Sequence, residues 1–471
     1  MLFTRQRFGA SALLLAFVIP AELAGLPAVE LSREAAWLRH YLRFESSQPD
    51  GASGDGGERA AIDWLASLLA AESIRAEVLV SPGGRASLIA RLPAPDPEAP
   101  AIVLLHHVDV VPAGADPKLW QHPPFGGEVA EGALWGRGAI DTKSLGIAHL
   151  AAFLELARQP DRRRDLVFLA TADEETGGAE GVGWILGARP ELFVRTEAVL
   201  GEGGTGKSVA GRPLWWGIEI EQKRPLWLEV TARGKAGHGS SAGPESAAHR
   251  LIAGLARLLE APPPLAGSRS GLNFLEALGR FDQRAARAAR QVVLLLNGTP
   301  LDPVDARALA GYENLLRDSL QVTTLAAADR INIVPGEARA EIDLRLLPET
   351  DEGRLLTEIK RRLGDGLEVR VRLSSPAVAA SPTTSDVYRA LAARLAREAP
   401  VVPAFLPAFT DSRHFRARGI AAYGVTPFAL EATELLTVHA PNERISLAAF
   451  DRGVARMKEL VAALVVRPKL P

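Results

Sequence analysis

The sequence predicts an α/β domain, a mixed sheet with helices on both faces, interrupted by a smaller α+β insert. Three observations predict it. Helix-like and strand-like segments alternate from Glu30 to about Gln222, the rhythm of a sheet covered by helices. At Pro225 that rhythm changes, and after Ser374 it resumes with a helix over 384–398. The implied boundaries are 29–222 and 375–471 for the larger domain and 223–374 for the insert, with 1–28 standing apart.

In that first segment Arg5 and Arg7 precede an apolar stretch from Phe8 to Ile19, broken by Pro20 and Glu22. A basic start followed by an apolar run reads as an export signal. The protein is therefore expected to be periplasmic or secreted, or held at a membrane by its N-terminus. The break works against a continuous span of ~20 apolar residues.

Further along, 101–105 and 165–170 are short apolar runs of buried-strand type, and both end in ionisable clusters. In open α/β sheets functional side chains gather at such carboxyl ends, because the strand positions the loop that follows. A helix is expected over 145–157 and a strand over 214–220. The insert opens with a strand over 226–232 and a helix that starts at Pro244 and runs through Ala247 to Leu259, before the break at Pro262, Pro263 and Pro264. A mostly helical stretch then extends to about Leu320. Strands near 330–334 and 338–346 and a helix over 352–363 complete the insert.

With 471 residues, 47% of them hydrophobic and 23% charged, the chain has material for two or three globular domains. The net charge of −2 and the lack of a basic face speak against nucleic acid. The absence of cysteine excludes disulfides, thiolate ligands and a cysteine nucleophile. One stretch, Gly201-Glu-Gly-Gly-Thr-Gly-Lys207-Ser208, fits the pattern of a phosphate-cradling loop. Such a loop needs a helix immediately after it. Gly211 and Pro213 disfavour one and a strand-like segment follows, so no nucleotide is expected.

What remains of that stretch is Glu202, an acid after the apolar 198–200. It joins a scattered set. His107 and Asp109 follow the first buried strand, and in extended chain they point to the same side. A carboxylate there can orient an imidazole whose other nitrogen faces a metal. Asp141 lies just past a glycine-rich turn, before a helix, where it could equally be a cap. Asp173, Glu174 and Glu175 are three consecutive acids after the second buried strand. Like charges so stacked are costly unless a cation or proton compensates. His439 lies in a loop near the other end. Histidine and carboxylate donors without sulfur suit zinc, with cobalt or manganese as substitutes.

Taken together, these motifs resemble the co-catalytic di-zinc amidohydrolase and exopeptidase family that includes aminoacylase, carboxypeptidase S and succinyl-diaminopimelate desuccinylase. The matches run from about Ala101 to Ile445. Lys143-Ser144, Asp173-Glu-Glu-Thr-Gly-Gly178, Glu202-Gly-Gly204 and Thr410-Asp-Ser-Arg-His414 lean toward the carboxypeptidase S branch, which also holds hydrolases of N-acyl amino acids. The resemblance implies two Zn2+ ions: His107 and Glu202 on one, Glu175 and His439 on the other, Asp141 bridging. Asp109 would orient His107, and Glu174 would be the general base. It also implies a cis peptide after Asp141 and an insert that serves as a substrate-binding lid and dimerisation domain. His238 in the lid would steady the oxyanion, often across a homodimer. Asn332 and Arg345 would contact the oxyanion region and the substrate carboxylate, with Arg413 a second candidate for the carboxylate. The implied reaction is hydrolysis of an amide next to a free carboxylate, in an N-acyl amino acid or small peptide. The alternatives are a dipeptidase or carboxypeptidase of the same fold, and a silent binding protein that kept the fold.

Three departures from the family pattern stand out. His106 occupies a position usually held by a small residue, so the choice of His107 rests on its spacing to Asp109. Phe409 replaces a usual glycine, and residues 262–320 lengthen the lid.

Overall fold

The structure is a computed structural model that describes residues 30–47, 57–114, 116–240, 246–265, 267–301 and 307–466. The expected export segment 1–28 and the helix start at Pro244 lie outside the described residues. Among the described residues no helix is long and apolar enough to cross a membrane.

Among the described residues the main sheet is mixed and has nine strands. Across it run Ala76–Val80, Ala86–Leu92, Asp165–Thr171, Ala101–His107, Thr196–Gly201, Ala421–Gly424, Arg212–Gln222 and Val401–Leu406, with Thr205–Val209 paired to Arg212–Gln222. The central strands Asp165–Thr171, Ala101–His107, Thr196–Gly201 and Ala421–Gly424 are parallel. They read as continuous apolar runs because both faces of the sheet are covered.

Alternation along Ala101–His107 distributes that core. Ile102 and Leu104 enter one cluster, with Phe153 and Phe168; Val103 and Leu105 enter the other, with Val182, Ile185 and Phe415. On the first face helix Lys143–Ala157 lies against the sheet and is itself covered by helices Leu447–Val465 and Arg33–Tyr41. It is apolar almost all round, as a helix buried on every side must be.

The insert carries a four-stranded antiparallel sheet in the order Ser319–Ala326, Glu337–Leu346, Arg224–Arg233, Leu367–Ser374. Helices Ala247–Leu259 and Glu352–Leu363 pack on one face of it, against Leu228, Val230, Ala340 and Ile342. Their N-termini are capped by the Ser246 and Asp351 side chains. The strands Ser319–Ala326 and Leu367–Ser374 are largely solvated sheet edges that put only Leu320, Val322, Leu367 and Val369 against the core. Leu367–Ser374 alternates apolar and polar residues throughout, the period of a half-buried strand, whereas Ser319–Ala326 loses that period at Thr323 and Thr324.

Helices Arg269–Leu278 and Gln283–Leu296 make up most of the long helical stretch, and they share a core with Val402, Ala404 and Phe405 of the main sheet's edge strand. The first of them is anchored at its start by Glu349 of the insert, which accepts from the backbone nitrogens of Arg269 (2.9 Å) and Ser270 (3.3 Å). This segment therefore covers a catalytic-sheet edge as well as lengthening the insert. After Gly204, Thr205–Val209 forms a hairpin with Arg212–Gln222. The chain takes up a strand where a phosphate loop would need a helix.

Candidate metal centre

Period-two alternation decides between the neighbouring histidines. His106 continues the even set and turns into the core, its Nε2 3.4 Å from the Tyr41 hydroxyl and its ring 5.3 Å from Phe168. Space for it depends on Gly146, where a Cβ would lie 2.3 Å from the His106 ring. His107 continues the odd set and faces the acids. Its Nδ1 donates to the Asp109 carbonyl at 2.9 Å, with the Asp109 carboxylate at 3.5 Å. That fixes the proton on Nδ1 and leaves Nε2 as a donor atom for a metal.

The Nε2 of His107 is 3.1 Å from Asp141 Oδ1 and 3.7 Å from Glu202 Oε1. Asp141 Oδ2 in turn is 3.1 Å from Nε2 of His439, which is 3.4 Å from Glu175 Oε1. One carboxylate thus stands between two imidazoles, each with a further acid beside it. The Asp141–Thr142 peptide is cis. Glu443, four residues after His439, is wholly buried and accepts from the backbone nitrogens of Gly138 (3.1 Å), Ile140 (2.8 Å) and Asp141 (3.1 Å) and from Arg137 (2.7 Å). The two loops that carry Asp141 and His439 are therefore tied together from beneath.

Glu174 and Glu175 sit on a short 3-10 turn, Glu174–Thr176, whose first two backbone nitrogens donate to the Asp109 carboxylate at 3.2 and 3.1 Å. Asp109 thus orients that turn as much as it orients His107. Behind it Arg85 donates to Glu58 (2.7 Å) and Asp173 (3.1 Å) and lies 3.7 Å from Asp109. This buried network of three carboxylates around one guanidinium escapes sequence reading, because its members are far apart in the chain and no local pattern marks them. Glu174 Oε1 is buried and makes no hydrogen bond. A cavity of about 10 Å³ borders it, lined by His107, Glu202 and residues 410–412. That is room for about one water.

Electrostatics follow from the crowding. Burial, and next the Glu202 carboxylate, hold the Glu174 carboxyl well above the usual range. Burial also lifts Glu202, to about 7. At His107 burial favours the neutral ring, but Glu202, Asp109 and Asp141 outweigh it and raise the imidazole well above its ordinary value. Burial opposes the charged form of His439 too, and Asp141 and Glu175 overcome it to give about 11. The raised imidazoles register an excess of negative charge that cations would relieve, and the raised carboxyls register chiefly their burial.

The insert brings the remaining candidates together in two places. His238 lies on the short strand Gly237–His238, paired with Ile333–Val334, and both it and Asn332 are exposed. Arg345 and Arg413 instead meet at Phe409, with guanidinium carbons 4.2 and 4.4 Å from its ring centroid. Arg413 is buried, and its fork is taken by the carbonyls of Thr410 (2.8 Å) and Gly177 (2.6 Å). It lies 3.9 Å from Glu174.

The donor set tests well against a pair of divalent ions: imidazole and carboxylate without sulfur, charge in excess, and two close groups that share His107, one with Asp141 and Glu175 and one with Glu174 and Glu202, while His439 stands on the other oxygen of Asp141. At the carboxyl ends of parallel strands, with the buried Glu174 alongside, this arrangement defines a metal-dependent amide hydrolase. Residues 103–463 match Peptidase family M20/M25/M40, and the chain belongs to that family. It is 27% identical over 443 residues to aminoacylase-1 of Mus musculus, covering 92% of this chain and 96% of that one. To the probable carboxypeptidase S-like 2 of Dictyostelium discoideum it is 28% identical over 376 residues, 74% of this chain and 68% of the other. Among solved structures, the M20 family metallo-carboxypeptidase Sso-CP2 of Sulfolobus solfataricus shares the fold with a TM-score of 0.70 at 19% identity, over 92% of this chain and 99% of that one.

Proposed function

We propose that this chain hydrolyses the amide bond of N-acyl amino acids or small peptides next to a free carboxylate. The observation that carries the reading is Asp141 set between His107 and His439, with Glu174, whose Oε1 is buried and makes no hydrogen bond, beside them. His107 and Glu202 would hold one zinc ion and Glu175 and His439 a second, with Asp141 bridging; cobalt or manganese are substitutes with the same donor preference. Bound there, the ions would polarise the amide carbonyl and acidify water.

The chain's own groups do the rest. Glu174, with its carboxyl raised by burial, takes a proton as the water oxygen bonds to the carbonyl carbon, and delivers it to the nitrogen as the C–N bond breaks. His238 donates to the oxygen that gains charge, with Asn332 beside it. Arg345 offers a planar fork to the substrate carboxylate. We assign Arg413 a positioning role, since it is buried and each of its terminal nitrogens donates to a carbonyl, so that it joins the loop after the Glu174 turn to the 410–413 segment.

The working protein is proposed to be exported or N-terminally anchored, to form a homodimer through the insert, and to use neither nucleotide nor nucleic acid. A panel of N-acyl amino acids and dipeptides, assayed with and without chelator, tests the reading. Chelator-sensitive release of the amino acid supports it; preference for unblocked dipeptides moves it to the dipeptidase or carboxypeptidase alternative. Inactivity of metal-loaded protein on every member overturns it.

A further inference from the structure

Arg345 is fixed on one edge and backed on one face. Its Nε and Nη2 donate to Asp343 Oδ2 at 3.0 and 2.8 Å, while Asp343 Oδ1 accepts from the Trp227 indole at 2.9 Å. The guanidinium lies over Phe409, whose ring is 6.1 Å from that of Trp227 and only 8% exposed. Arg345 itself is a quarter exposed, and its Nη1 has no partner among the described residues. The same aromatic ring carries Arg413, a buried like charge. Two guanidiniums so close repel, and the electron-rich ring they share offsets the repulsion. Phe409 belongs to the catalytic domain and Arg345 to the insert, so the contact spans the junction. Close by, Leu373 of the insert packs against Gly177, where a Cβ would come within 2.9 Å of it.

We propose that Phe409 is a positioning residue: its ring face holds the Arg345 guanidinium at the catalytic domain with one edge free, and so sets the enzyme's preference for substrates that carry a carboxylate. This rests on the reading above that Arg345 receives that carboxylate. Asp343 alone could fix the direction of the fork in its own plane, but not its tilt; a stacked ring fixes the tilt. Arg413 is the poorer receptor, because it is buried while Arg345 is a quarter exposed.

The test compares an N-acyl amino acid with its carboxamide analogue, using the full-length, metal-loaded enzyme. Phe409→Leu keeps an apolar side chain and removes the ring face. It is expected to raise KM for the carboxylate substrate about three- to thirtyfold, the usual range for one cation–π contact. The carboxamide KM should stay within about twofold, and any fall in kcat, passed through Arg413 on the same ring, should be equal for the two substrates. Phe409→Tyr should restore the wild-type KM. Replacing Phe409 by phenylalanines of increasing ring fluorination keeps the shape and drains the face of charge, so KM should climb stepwise; this series also serves if Phe409→Leu does not fold. An unchanged carboxylate KM, an equal rise for both substrates, or indifference to fluorination overturns the proposal. Arg345→Ala separates the two failures. If it raises the carboxylate KM while the Phe409 variants do not, only the role of Phe409 falls. If it has no effect, the carboxylate reading of Arg345 falls as well.

Discussion

Glu443 accepts the backbone N–H of Asp141 at 3.1 Å from four residues beyond His439, so a single buried carboxylate fixes the spacing of two candidate ligands. Partners of this kind typically contribute 10–100-fold to metal affinity. Glu443→Gln is therefore expected to weaken metal binding by about that factor, read as the chelator concentration that halves occupancy. Glu443→Ala goes further, because it strands Arg137 in the interior. It should cost about 3–5 kcal/mol of stability in denaturant titrations.

Glu174 offers a cleaner separation of chemistry from binding. Glu174→Ala should retain two metal ions per chain by elemental analysis and lose about 10²–10⁴ in turnover. Loss of metal in this variant would make Glu174 a ligand and leave the base unassigned.

His238 tests the insert's part in the reaction. Removal of one oxyanion donor typically costs ~3–4 kcal/mol, so His238→Ala should cut kcat by about two to three orders of magnitude. Mixing inactive His238→Ala with inactive Glu174→Ala should restore part of the activity if the histidine acts across a dimer. No recovery from a verified mixed dimer would place the group within its own chain.

Lys223, at the junction between the domains, gives a pH signature. Its buried ammonium donates to the Arg317 carbonyl at 2.7 Å, and burial lowers its pKa to about 8. In the unfolded chain a lysine keeps its proton up to about pH 10.4. Between those values the unfolded state binds the extra proton, so this group's contribution to stability rises with pH; below about 8 it is flat. The stability difference between wild type and Lys223→Met should follow that course in urea titrations across the window. A difference that does not vary with pH would refute it.

Much of the fold was legible in the sequence because its central strands are buried on both faces and so carry unbroken apolar runs. The helices 247–259 and 352–363 were equally plain, since each turns one apolar stripe to a sheet. Candidate ligands could be read because each follows a strand or tight turn, and alternation alone turns His107 and His106 to opposite faces. Arg85 and Glu58 could not be read. They meet only when the start of one helix is laid beside the start of a strand, and nothing local records that meeting. Of the insert's edge strands, Ser319–Ala326 breaks its alternation midway, while Leu367–Ser374 carries a period-two pattern in the sequence. Nor does amphipathic patterning in 269–296 reveal that its apolar stripe covers the strand Val401–Leu406 instead of the insert's own sheet.

That last arrangement has a mechanical consequence. Two chain crossings alone, near residues 223 and 375, would leave the insert a line about which to swing. The helical pair adds a third attachment off that line, seated on the edge strand at one end and pinned to Glu349 at the other. With that seat and the Arg345–Phe409 contact both in place, any swing of the insert requires the pair to bend or slide.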